Sequence, residues 1–217
     1  MTPVIPHSSY INVLYLRLLS LNLSALKGAS LRNIAVKVRL KVDEGDVCDL
    51  PLIYHASNRK MDLEASSSIT HHSKQPKFYE EFKIEIPANL TKFHFLYFTF
   101  VHVSFKEKAE TAETEPWTWL SLTNDGRLTR GVVDLPVVVD PPPTSLSTLA
   151  STEHSAFRCV DKNKPVFKVE VDIVSSVHTG EGHLERFFEL TRCLEKAQLP
   201  PDWDPDGDDG LWFTGFR

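Results

Sequence analysis

The sequence predicts an all-β protein: an antiparallel sandwich of about eight strands, followed by a short amphipathic helix and an irregular acidic tail. Three observations carry this expectation. Apolar and polar residues alternate in several separate segments, β-branched and aromatic residues crowd others, and almost no helical period occurs before residue 180. Two sheets packed face to face bury such alternating surfaces most economically.

The clearest alternation runs from Asn33 to Val42, where Ile34, Val36, Val38, Leu40 and Val42 oppose Ala35, Lys37, Arg39 and Lys41. The same rule reads Phe78, Phe82, Ile84 and Ile86 against Glu81, Lys83 and Glu85, and Phe167, Val169, Val171 and Ile173 against Lys168, Glu170 and Asp172. Leu14 to Leu21, Phe93 to Val103, Trp117 to Leu122 and Val132 to Val139 complete the strand set, with Asn124, Asp125 and Gly126 as turn formers. Trp117 and Trp119 flank Thr118, so both rings face one side of a strand, as core packing requires.

Between these strands, Leu26 to Arg32 reads as a short basic loop and Cys48 to Ser68 as a long polar loop with a short strand at Leu52 to Tyr54. Pro141 to Pro143 open a Ser/Thr-rich connector. From Gly182 the period changes. Leu184, Phe187, Phe188, Thr191 and Leu194 share one helical face, giving an amphipathic helix of about fourteen residues. The tail from Pro200 holds five aspartates, and its Pro and Gly break any regular pattern, so it is expected to be disordered or divergent.

With 217 residues, 41% of them hydrophobic, the chain can bury one proper core. A net charge of -5 argues against a general nucleic-acid binder, so any anion site must be a local patch. Cys48, Cys159 and Cys193 are odd in number and widely spaced, which suits neither a disulfide framework nor a zinc site and fits a reducing, cytoplasmic setting. No apolar run approaches the roughly 20 residues that span a bilayer, and no signal peptide is evident. Membrane contact is therefore expected to be peripheral.

Several motifs recur in a telling order. Leu31-Arg32-Asn33-Ile34-Ala35-Val36-Lys37-Val38 follows the basic loop, and Pro76-Lys77-Phe78-Tyr79-Glu80-Glu81-Phe82-Lys83 leads into Ile84-Glu85-Ile86-Pro87. Phe98-Thr99-Phe100-Val101-His102-Val103-Ser104 comes next. Trp117-Thr118-Trp119, Asn124-Asp125-Gly126-Arg127-Leu128, Leu135-Pro136-Val137 and Val174-Ser175-Ser176-Val177-His178-Thr179 follow. This series resembles the first homology region of the DOCK family of guanine nucleotide exchange factors for Rho-type GTPases, a C2 domain, and most of all its Zizimin-related branches. The likeness runs from about residue 10 to about residue 190.

The resemblance implies a C2-type sandwich over residues 10–179, preceded by an extension at 1–9 and followed by the helix at 180–198 and the tail at 199–217. The family's exchange centre lies in a separate downstream region, so the chain looks like a fragment or short isoform with no catalytic residues and no cofactor. The resemblance further implies a cytoplasmic, peripherally membrane-associated module of small GTPase signalling. Its partners would be anionic membrane phospholipid and other DOCK-protein regions or a dimer mate. A Rho-family GTPase would be reached only through the missing region, and nucleic acid not at all.

In related proteins, loop lysines and arginines bind phosphoinositide headgroups. The matching loop here offers Lys27 and Arg32, and the loop after Val103 adds Lys106 and Lys108. An ammonium meets phosphate as a point charge and a guanidinium with paired donors, while Gly28 lets the backbone come close. The alternative is a protein-interaction or scaffold domain that binds no lipid.

Calcium-bridged docking fits poorly, because such sites need about six to eight oxygen ligands on facing loops. The first loop has no carboxylate, and the second has only the scattered Glu107, Glu110, Glu113 and Glu115. Asp202-x-Asp204-x-Asp206-Gly207-Asp208 imitates the start of an EF-hand loop, yet Phe213 stands where the closing glutamate belongs. His71, His72, His94 and His102 fall in or beside strands without metal-ligand spacing, and no nucleophile or phosphate-loop motif occurs. No metal site is expected.

Overall fold

The computed structural model describes residues 11–22, 33–55, 60–71, 73, 75–88, 90–103, 115–124, 127–161, 164–176, 178, 187 and 190. Its strands are β1 (Asn12–Leu21), β2 (Asn33–Asp43), β3 (Val47–Leu50), β4 (Ile53–Tyr54), β5 (Met61–Asp62), β6 (Glu64–Ser66) and β7 (Thr70–His71). After them come β8 (Glu81–Glu85), β9 (His94–His102), β10 (Trp117–Ser121), β11 (Thr123–Asn124), β12 (Arg127–Leu128), β13 (Gly131–Leu135) and β14 (Phe167–Ser175). One sheet has the order β13-β14-β1-β8-β4-β5, and the other β10-β9-β2-β3 with β6 and β7 also on β2. The hairpin β11-β12 stands apart. Every pairing is antiparallel, as the alternating patterns predict.

The sheets bury their alternating faces against each other. Leu14, Leu16 and Leu18 of β1, Ile34, Val36, Val38 and Leu40 of β2, Phe98 and Phe100 of β9, and Phe167, Val169, Val171 and Ile173 of β14 form one core. Phe167 lies edge-on to both Phe98 and Phe100, at ring distances of 5.3 and 5.0 Å. A register shift between Leu18 and Ser20 reverses the parity of β1, so Leu21 also points inward while Ser20 faces out.

Three segments differ from the sequence expectation. Cys48 to Ser68 is no plain polar loop, because β3 and β6 extend the sheet along β2 and β4-β5 extends the other. These strands have only two to four residues each, too few to show a period. Phe78 is buried but lies before β8, and the segment read from Val132 to Val139 leaves the sheet after Leu135, at Pro136.

The tryptophans pack, but not between the sheets. Trp117 and Trp119 stand on the outer face of β10 beside Phe95 and Tyr97 of β9. The proline-led connector folds over them, and its Leu146, Leu149 and Phe157 close a second core. Two 3-10 turns, Ser147–Ala150 and His154–Ala156, shape this strap. Of the expected C-terminal helix, Phe187 and Leu190 are described, both helical, with Leu190 buried. The rest of that helix, the tail and the extension at 1–9 lie outside the described residues.

Candidate functional site

The candidate cations Lys27, Arg32, Lys106 and Lys108 lie outside the described residues, but the strands that carry their loops do not. The first loop leaves β1 at Asn22 and returns at Asn33, and the second leaves β9 after His102. Ile34 pairs with His102, the Val103 amide donates to the Asn33 carbonyl at 2.9 Å, and Asn33 Nδ2 donates to the Val103 carbonyl at 3.3 Å. The two loops therefore share a root at one rim of the sandwich.

A third connection reaches the same rim. Thr70 and His71 pair with Ile34 and Asn33 at the start of β2, and from there the chain passes to Lys77, which bridges Ser20 at the end of β1. Leu21 N donates to the Pro76 carbonyl at 3.0 Å, and Asn22 N to the Val166 carbonyl at 2.8 Å, tying β1 down just before its loop departs.

Ser20 has a lysine on each side. Lys77 is its bridge partner on one edge and Lys168 of β14 its register partner on the other, with Asp134 of β13 next in the row. Directly paired residues of an antiparallel sheet share a face. The row Lys77-Ser20-Lys168-Asp134 therefore stands together on the outer surface. It borders a cleft of about 350 Å³ that Asn22 and Gln75 also line. Lys168 Nζ lies 3.4 Å from Asp134 Oδ1, both side chains being about half exposed. Deeper on the same face, Arg17 is held at 2.7 Å by Glu81 and at 3.0 Å by Glu170, so that row keeps one net negative charge.

The opposite end of β2 is acidic. Asp43, Glu44 and Asp46 form the hairpin into β3, with Gly45 at φ 127° in its turn. Asp43 is buried: its Oδ2 accepts from Ser145 Oγ at 2.9 Å and Ser147 N at 2.7 Å, and Oδ1 from Gly45 N at 3.3 Å. Burial pushes this carboxyl up, but those hydrogen bonds together outweigh it and hold it below the usual carboxylate range. They also pin the strap to the hairpin.

A second concavity, about 370 Å³, lies between the strap prolines Pro142 and Pro143 and the polar face of β2 and β9. Its cations are already engaged. Arg39 pairs with Glu64, and Lys41 Nζ lies 2.6 Å from Asp49 Oδ1. On the inner side of the strap, His154 stacks on Trp119 at 3.7 Å, with Nε2 3.2 Å from the Trp119 carbonyl, so the neutral ring donates there. Burial pushes the His154 pKa down to about 4, pushes His94 down and pushes the Cys159 thiol up. Cys48 is exposed, and Cys193 lies outside the described residues. Among the described residues no group of three His, Cys, Asp or Glu could hold a metal ion, and no helix is long and apolar enough to cross a membrane.

A family model described as the C2 domain in Dock180 and Zizimin proteins matches residues 7–183. The chain belongs to the DOCK C2 family. The DOCK C2 domain is 42% identical over 199 residues to dedicator of cytokinesis protein 6 of Mus musculus, covering 90% of this chain and 10% of that protein. It is 38% identical over 200 residues to dedicator of cytokinesis protein 7 of Homo sapiens (90% and 9%), and 37% identical over 204 residues to dedicator of cytokinesis protein 8 of Homo sapiens (91% and 10%). The chain thus spans about a tenth of the length of these relatives. Among solved structures, a C2 domain of plant Extended Synaptotagmin 1 superposes with a TM-score of 0.44 at 13% identity, covering 77% of this chain and 97% of that domain.

Sequence reasoning did not select Lys77 and Lys168 as site residues. Lys168 occupies an ordinary polar position within β14 and Lys77 one just before β8, and only the pairing on Ser20 sets them either side of it.

Proposed function

We propose that this DOCK C2 domain docks onto phosphoinositide-bearing membrane and so targets a Rho-family guanine nucleotide exchange factor to it. Lys27, Arg32, Lys106 and Lys108 supply the cations. The observation that carries this reading is the shared root at Asn33 and Val103, which ties both lysine-bearing loops to one rim. The acidic hairpin at the far end of β2 adds to it, because an anionic surface repels that end of the molecule.

At about 1 kcal/mol per basic residue near such a surface, four cations supply roughly 4 kcal/mol. That is weak, reversible docking, suited to a module that acts with a second signal. Exchange on a Rho-family GTPase belongs to another region of the family's proteins, and the domain alone accelerates no nucleotide release. In the second reading the domain packs against other DOCK-protein regions or a dimer mate. Val132 and Val174, 56% and 49% exposed on the outer sheet face, favour it.

Liposome sedimentation with graded phosphoinositide separates the two. The wild-type chain is expected to sediment with trisphosphate-bearing vesicles, and a Lys27/Arg32/Lys106/Lys108 alanine variant to lose about a thousandfold in affinity. Chelator should change neither. Lipid-independent behaviour of both proteins would abandon the first reading for the second.

A further inference from the structure

We propose that Lys77 and Lys168, abreast of Ser20, form a second phosphate subsite that takes a headgroup phosphate of the same lipid. This inference rests on the membrane-docking reading and extends the site beyond the basic loops. The two lysines are contributed by separate segments, yet both take register on Ser20, so their Cα atoms stand two strand spacings apart, about 10 Å. Ammonium groups on four-carbon stems at that separation converge on one phosphate between them.

The surroundings suit an anion. Ser20, Gln75 and Asn22 add hydroxyl and amide groups to the cleft, whose volume of about 350 Å³ accommodates a phosphorylated ring. Among the described residues Lys77 has no ion-pair partner. Among the described residues Lys168 is ion-paired with the half-exposed Asp134 alone, on the side away from Ser20, and such a contact yields readily to a doubly charged phosphate. The row behind, where Arg17 is shared by Glu81 and Glu170, carries one net negative charge, which the two lysines outnumber.

The location links the subsite to the rim. Asn22 lines the cleft and is also the last described residue before the first basic loop, so a headgroup in the cleft lies beside the root of that loop. Tyr79, 90% exposed two residues beyond Lys77, stands ready to meet the headgroup region of a bilayer, where amphipathic rings settle. A lipid would use both the lysines and this ring. A free inositol phosphate would use the lysines alone.

The test measures binding of the full chain to phosphatidylcholine vesicles carrying phosphatidylinositol trisphosphate, and separately to the soluble inositol tetrakisphosphate headgroup. Lys77→Ala and Lys168→Ala should each weaken both by about fivefold, and the pair by about 25-fold. Asp134→Asn should tighten both, which no folding defect imitates. Tyr79→Ala should weaken vesicle binding and leave the soluble headgroup unaffected, and an unchanged affinity for both would assign the subsite to free inositol phosphate and overturn the lipid assignment. If the loop variant loses vesicle binding while the Lys77/Lys168 variant binds like wild type, the subsite is refuted and the loop reading survives. Absence of wild-type binding to either probe overturns both.

Discussion

Protonation of His154 should loosen the strap over the second core, and the structure sets the size of the effect. The imidazole lies against Trp119 and donates to its carbonyl, and burial brings its pKa from 6.5 to about 4. Between those values the unfolded chain binds a proton that the folded chain excludes, so stability rises with pH across this window and is level outside it. At about 1.4 kcal/mol per pH unit the full gap corresponds to about 3 kcal/mol. The ring is only half-buried, and solvent screening reduces this to about 2 kcal/mol.

His154→Phe keeps a ring on Trp119 and removes the titration. Urea unfolding followed by tryptophan fluorescence, taken on both proteins from neutral pH down to about pH 4, measures the difference. Wild type is expected to lose about 2 kcal/mol more than the variant over that range. His94 also titrates below its ordinary value, but it is present in both proteins and cancels. Equal slopes would refute the reasoning and put the acid sensitivity elsewhere.

Two further perturbations probe the framework that positions the rim. Phe167→Ala removes a ring packed edge-on against Phe98 and Phe100 in the main core, and should cost about 3–5 kcal/mol in equilibrium denaturation. Gly45→Ala places a Cβ at φ 127° with open space around it, so backbone strain alone should lower stability by about 1 kcal/mol. A larger loss there would mean that the hairpin also organises Asp43 and the strap it holds.

The long strands were legible in the chain because burial on one face imposes a period of two, which Asn33 to Val42 and Phe167 to Ile173 display in full. Sandwich architecture followed from that period, and family membership from motifs in series, which the match over residues 7–183 bears out. Of the short strands from Val47 to His71, β4 was expected at Leu52 to Tyr54 and the others were not legible, because segments of two to four residues contain no complete period. The side on which Trp117 and Trp119 are buried was equally hidden. Alternation places both rings on one face, but only the returning strap shows that this is the outer face.

Local sequence therefore determined which residues alternate, where the basic loops lie, and which family the chain joins. Tertiary structure alone decided which distant residues stand abreast. Register is a property of pairs of strands, and the shift after Leu18 turned Ser20 outward between two lysines that nothing in their own neighbourhoods connects.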